Sequence, residues 1–322
     1  MSQSPAYHLR TNKAVERLLF LELLRKLDRS LPRTISRCQY IGLGGPYLED
    51  FAMIHATFGC NDMLSLELKE HVCKRQRINR PHSQVTVTRM STGTFVEEYV
   101  PKSKPVIVWF DFEWPAWKQQ LAESCDLLQR LPLFSLFKIT LAGKTEWLGG
   151  GGGRDPLASR ADKLSKMFGD YGPFAAKDLN EKSIATTLYF ICRRAVGDAV
   201  PDTEARCVRS LASYEYTDGT PILTMTMVVG PSHALDELIN NSELHSWRFA
   251  DLGWSGPIKI AVPALSLREK LAVDQLLPHA SGQTVLRKVK LSLSEDYKDS
   301  LELINNYVDF YRHVPQFVRM TT

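Results

Sequence analysis

The sequence predicts an α/β fold of three layers: five parallel strands plus a terminal antiparallel hairpin in one sheet, an N-terminal helix, and a mostly helical C-terminal extension. Three observations carry this. Short β-type runs alternate with helical runs from Cys38 to Leu141, a glycine-rich turn follows the first β-run, and an Asp218-Gly219 turn separates the last two.

The first periodic segment is Asn12 to Leu31, where Val15, Leu18, Leu19, Leu23 and Leu27 recur at helical spacing among charged residues, ending near Pro32. It predicts an amphipathic helix covering the sheet, with Arg10, Lys13 or Arg17 as the alternative substrate contacts. The core itself is predicted over residues 36–230. Gln39 to Leu43 reads as the first strand, Met63 to Glu67 as the second and Gln84 to Thr88 as the third. Val106-Ile107-Val108-Trp109-Phe110-Asp111 is the apolar run of a central strand buried on both faces, and Leu136 to Leu141 is the fifth strand. Helical runs Tyr47–Phe58, Lys69–Asn79, Thr94–Tyr99 and Trp117–Leu131 lie between them.

Gly143 to Lys177 reads as a looser segment, and Leu179 to Val196 as a helix. Cys207–Tyr216 and Ile222–Val229 then form the hairpin. Beyond Gly230, Ser266-Leu267-Arg268-Glu269 and Ser292-Leu293-Ser294-Glu295 both fit a capping box, so residues 231–322 read as a helical extension and residues 1–35 as an N-terminal helical segment. There is no internal repeat.

Composition narrows the function classes. Hydrophobic residues at 44 % and charged residues at 24 % are those of a globular chain. No run of 18 apolar residues occurs, and Met1-Ser2-Gln3-Ser4-Pro5 lacks the basic and apolar regions of a secretory signal, so a cytoplasmic protein without membrane contact is expected. The six cysteines are scattered without metal-ligand spacing and read as reduced, mostly buried thiols; no metal is expected. A net charge of +4 permits an anionic substrate without requiring one.

In Gly42-Leu43-Gly44-Gly45-Pro46, the missing Cβ atoms at a strand-to-helix turn let a ligand approach the backbone and meet free N–H groups. Tyr47 occupies the third glycine position of a full dinucleotide fingerprint, and Pro46 removes a donor. A simple structural turn is the alternative. Glu67 ends the second strand 25 residues after Gly42, where a carboxylate accepts ribose hydroxyls; an ordinary surface acid is the alternative. Met90 and Ser91 follow the third strand and are candidates for the adenine, Met90 being equally suited to the core.

Asp111-Phe112-Glu113-Trp114-Pro115 closes the central strand at its ligand edge. Asp111 or Glu113 is the candidate general base, with Trp114 shaping the pocket. Lys144 and Arg154 flank a run of five glycines, Gly149 to Gly153, which reads either as a lid whose cations grip an anion or as an exposed loop. The basic run Lys74-Arg75-Gln76-Arg77 admits nucleic-acid binding, though a solvated helix face explains it as well.

Together Tyr40-Ile41-Gly42-Leu43-Gly44-Gly45, Glu67, the Asp111 segment and the closing hairpin resemble a Rossmann-like class I S-adenosylmethionine-dependent methyltransferase core. More narrowly, Tyr7-His8-Leu9-Arg10-Thr11-Asn12-Lys13, Pro263-Ala264-Leu265, Glu269-Lys270 and Leu277-Pro278 resemble bacterial proteins labelled O-methyltransferases, some associated with phage-defence loci. The resemblance implies S-adenosylmethionine as cofactor, with Gly42, Gly44, Gly45, Glu67, Met90 and Ser91 holding it. With that cofactor, Asp111 or Glu113 is the expected catalytic residue, and Trp114, Lys144 and Arg154, from their places after the fourth and fifth strands, are expected at the substrate or lid. The acceptor is unknown, and nucleic acid and a protein partner both remain open. Gln39 or Tyr40 stands where that motif usually opens on an acid. Asp111-Phe112-Glu113-Trp114 departs from the signature of base-methylating enzymes, so O-directed transfer is expected. A sensor or assembly subunit that binds the cofactor without turnover is the alternative.

Overall fold

The computed structural model describes residues 10–149 and 156–315. Helix α1, Thr11–Asp28, places Val15, Leu19, Leu23, Leu24 and Leu27 in buried positions, and Arg25 and Lys26 in its last turn complement the helix dipole. Strand β1, Gln39–Gly42, leads through the glycine turn into α2, Glu49–Phe58, whose first turn carries Glu49 and Asp50. Gly59, at φ +68°, ends α2 with its N–H on the His55 carbonyl, the left-handed cap that glycine favours.

Next come β2 (Met63–Glu67), α3 (Glu70–Ile78), β3 (Val85–Arg89) and α4 (Thr92–Glu98). They are followed by β4 (Val106–Phe112), α5 (Trp117–Arg130) and β5 (Leu136–Ala142). The loose segment expected after β5 contains a helix, α6 (Pro156–Phe168), and the following helix α7 runs Ile184–Ala199, starting later than its periodicity suggested. Strands β6 (Cys207–Thr217) and β7 (Pro221–Gly230) are joined by a turn too short for parallel strands.

After α8 (Ser232–Asn241), a short strand β8 (Ile258–Ile260) interrupts the extension expected to be mostly helical. Three helices close the chain: α9 (Leu267–Asp274), α10 (Gly282–Val289) and α11 (Tyr297–Phe310). The Ser266–Glu269 capping box forms, with Glu269 N on Ser266 Oγ at 3.3 Å and Ser266 N on Glu269 Oε2 at 2.8 Å. The second box does not. Ser292 turns onto the Ser294 carbonyl, and α11 is capped by Asp296, whose carboxylate takes the Lys298 N–H at 2.6 Å.

The eight strands form one sheet in the order β3-β2-β1-β4-β5-β7-β6-β8. The first five are parallel, and β7 runs antiparallel to β5 with Thr140 opposite Thr224. The fold is thus the Rossmann-like α/β arrangement expected, with eight strands instead of seven. One sheet face carries Ile41, Val108, Phe110, Phe112, Phe137 and Ile139 into a core with Val96 of α4, Leu121 and Leu128 of α5, and Leu188 and Tyr189 of α7.

The chain divides into two compact units. Residues 21–215 and 219–258 make the sheet unit, while residues 10–20, 216–218 and 259–315 make the terminal unit. Within the sheet unit, buried Asp251 accepts from the Tyr189 hydroxyl at 2.6 Å and from Ser255 N at 2.8 Å, tying the segment after α8 into the core. Within the terminal unit, Asp274 accepts from Lys270 at 2.6 Å and from the Tyr307 hydroxyl at 2.7 Å.

Candidate functional site

The sheet order reverses direction beside β1: the chain steps from β1 out to β2 and β3, then returns to place β4 on the other side. Ligands of open α/β sheets bind outside the carboxyl ends of the strands at such a switch point. The register fixes what stands there. Gly42 pairs with Ser65 of β2 and with Trp109 of β4, so Glu67 and Asp111 lie two residues beyond it on either side. Residues two apart on a strand share a face, which puts Gly42, Glu67 and Asp111 on one face at one edge.

The turn after Gly42 is held tightly. Gly44 and Gly45 have φ of +64° and +52°, and Leu48, at +54°, opens α2. A Cβ on Gly44 would stand 2.5 Å from Leu48 Cδ2 and 2.8 Å from Phe51 Cε2. This glycine is therefore required by the packing of α2 on the sheet, one of the known roles of glycine in such turns. Buried Gln76 of α3 donates to the Leu43 carbonyl at 3.2 Å and the Gly45 carbonyl at 2.8 Å, and accepts from Ser65 Oγ at 3.0 Å. Asn79 donates to the Pro46 carbonyl at 2.8 Å, and the Arg75 guanidinium lies 4.9 Å from the Tyr47 ring centre.

Half-buried Glu67 uses Oε1 to accept the Lys69 N–H at 2.7 Å, next to the start of α3. Its backbone carbonyl accepts from Met90 N at 3.1 Å, which sets Met90 beside it, partly buried against the core. Ser91 has a structural duty: its hydroxyl caps α4 by accepting Thr94 N at 3.0 Å. Asp111 pairs in register with Thr140 of β5 and is half-buried; Glu113 lies beyond the strand and is exposed.

Trp114 and Trp147 come together at the ends of β4 and β5, with ring centres 4.9 Å apart in an edge-to-face arrangement. They are 62 % and 53 % exposed, although the turns that carry them are anchored by buried Trp117, Thr145 and Leu148. The Lys144 ammonium lies 5.1 Å from the Trp114 ring centre. Arg154 and the glycines from Gly150 onward lie outside the described residues.

Sequence reading missed Gln76, Asn79, Ser65 and the place of Trp147. Gln76 stands in a basic run that reads as a solvated face, yet it shares the buried stripe of α3 with Cys73, three residues before it. A polar residue on that stripe was the available signal.

A family model described as "Putative O-methyltransferase" matches residues 5–322. The chain belongs to this family. No curated protein matches the sequence. Among solved structures, the chain is similar to the N-methyltransferase NodS from Bradyrhizobium japonicum WM9, at 8 % identity over 68 % of this chain and 97 % of that one, with a TM-score of 0.37. It is similar to the O-methyltransferase from Bacillus cereus in complex with SAH, at 12 % identity over 65 % of this chain and 79 % of that one, with a TM-score of 0.36.

The resemblance implies S-adenosylmethionine as cofactor, and the donor set at the edge fits it. Glu67 is a carboxylate at the second strand end, and its Oε2 has no partner among the described residues. Met90 brings a thioether and apolar surface beside it. Among the described residues, the Gly44 and Tyr47 N–H groups have no protein acceptor. Among the described residues there is no metal-ligand cluster and no helix long and apolar enough to cross a membrane.

Proposed function

We propose that the chain transfers a methyl group from S-adenosylmethionine to an oxygen of its acceptor, with the donor lying over β1 to β3 and the acceptor over β4 and β5. The observation that supports this is the register that sets Gly42 between Glu67 and Asp111 at the switch point. When bound, S-adenosylmethionine supplies an electrophilic methyl group on a sulfonium. Glu67 Oε2 would accept from the ribose while Oε1 stays with the Lys69 N–H. Met90 would pack on the adenine, and Ser91, its hydroxyl committed to the cap, would contribute its backbone.

Asp111 or Glu113 takes the proton of the acceptor hydroxyl. Trp114 and Lys144 orient the acceptor, so that in-line transfer depends mainly on position and exclusion of water. The O-directed reading rests on the family's description and on Asp111-Phe112-Glu113-Trp114, which lacks the proline pair of base-methylating enzymes.

Calorimetric titration with S-adenosylhomocysteine tests the donor half: the wild type binds, and Glu67→Ala binds about tenfold or more weakly, the loss of one charge-assisted hydrogen-bonding group. Labelled methyl transfer to RNA, DNA, protein and small-molecule fractions then finds the acceptor. A folded wild type that ignores S-adenosylhomocysteine, or that NAD stabilises instead, overturns the reading. Binding without transfer to any fraction would identify a sensor.

A further inference from the structure

We propose that Gln76 is the positioning residue of the methyl-donor loop, an inference that rests on the cofactor reading above. Its carboxamide is wholly buried, with both N–H groups donating, to the Leu43 and Gly45 carbonyls, and the oxygen accepting from Ser65 Oγ. The orientation of the amide follows from its partners, since both carbonyls can only accept. With Asn79 on Pro46 and Arg75 against Tyr47, a single helix holds Leu43, Gly45, Pro46 and Tyr47.

The loop needs such a hold. Gly44, Gly45 and Leu48 all lie in the left-handed region, and Leu48 does so without the freedom of glycine. A backbone of this shape persists only where its surroundings determine it. Gln76 does so by drawing the Leu43 and Gly45 carbonyls toward α3. The Gly44 and Tyr47 N–H groups then remain for a ligand, and a cofactor meets a loop already ordered.

Glutamate, leucine and lysine each fail to replace this amide. Glutamate accepts from Ser65 but cannot donate to two carbonyls, leucine does neither, and lysine lacks the acceptor. With glutamate or leucine the Leu43 and Gly45 carbonyls would face a group that repels or ignores them, and with lysine the Ser65 hydroxyl would lose its acceptor.

The test compares Gln76→Glu and Asn79→Ala with a control, Tyr189→Phe, which breaks a buried hydrogen bond on the other side of the sheet. Affinity for S-adenosylhomocysteine is measured by calorimetry, and amide exchange is followed at residues 43–48. Gln76→Glu is expected to weaken binding by about tenfold or more and to speed that exchange, as loss of two donations to one loop implies. Asn79→Ala should do so to a smaller extent. Tyr189→Phe should lower the melting temperature with affinity kept within about twofold.

Wild-type affinity in folded Gln76→Glu, or an equal loss in Tyr189→Phe, overturns the proposal while leaving the cofactor reading intact. A wild type that does not bind overturns both. Should Gln76→Glu fail to fold, the exposed Asn79 decides: unchanged exchange and affinity in Asn79→Ala refute the proposal.

Discussion

The Tyr189 hydroxyl donates to Asp251 Oδ2 across 2.6 Å, with both side chains buried. Burial, and then this bond, raises the tyrosine's pKa, so it acts as a neutral donor. Asp251 also serves Ser255 N and Ser210 Oγ. Asp251→Ala leaves three polar groups short of a partner and should cost about 3 kcal/mol, read by urea unfolding. A loss below about 1 kcal/mol would show that water replaces the carboxylate.

Gly44→Ala combines a left-handed φ with overlap on Leu48 and Phe51, whereas Gly59→Ala has the same kind of φ, +68°, and nothing within 4 Å of its Cβ. The first should lose about 2 to 4 kcal/mol and the second about 1. Equal losses in denaturant melts would remove packing as the reason for Gly44.

His82 and His55 lie with ring centres 4.0 Å apart, and burial, then the charge of His55, lowers the His82 pKa from 6.5. The unfolded chain then takes up a proton at a higher pH than the folded one. Stability should be complete above the ordinary value and decline as pH falls below about 6.5 toward the lowered one. Melting temperatures between pH 8 and 5 should fall less steeply in His82→Gln; identical slopes refute this.

Burial pushes the thiols of Cys38 and Cys125 up to about 12 and that of Cys60 to about 11. Cys125 is informative because it is only half-buried, so access alone does not protect it. Alkylation at pH 8 should be slow in the native protein and rapid in urea. Prompt native labelling of Cys125 would contradict the raised pKa.

Trp114→Ala with Trp147→Ala should leave S-adenosylhomocysteine affinity within about twofold, because both rings follow β4 and β5 while the donor residues follow β1 to β3. A larger loss in calorimetry would place the pair on the cofactor.

The elements legible in the sequence are those whose own residues settle them. β4 reads plainly because Val106 to Phe110 are all buried, leaving no polar position to blur the run. β8 does not: Ile258-Lys259-Ile260 is three residues, too short a run for alternation to show. Helix α6 was obscured by the glycine run before it, and the second capping box lost to Asp296, a stronger local acceptor. At the site, the strand-end positions of Glu67 and Asp111 follow from spacing along the chain. The part played by Gln76 does not, since it depends on a helix and a loop 31 residues apart meeting in space.

The placing of β1 between β2 and β4 has an evolutionary consequence. The proposed donor side is complete by Ser91, and the proposed acceptor side is written afterwards, in the loops that follow Phe112 and Ala142. Insertions, exchanges or drift in those later loops can therefore redirect the chemistry to a new target without disturbing the earlier half. A lineage built on this plan can keep one fuel and change its customers.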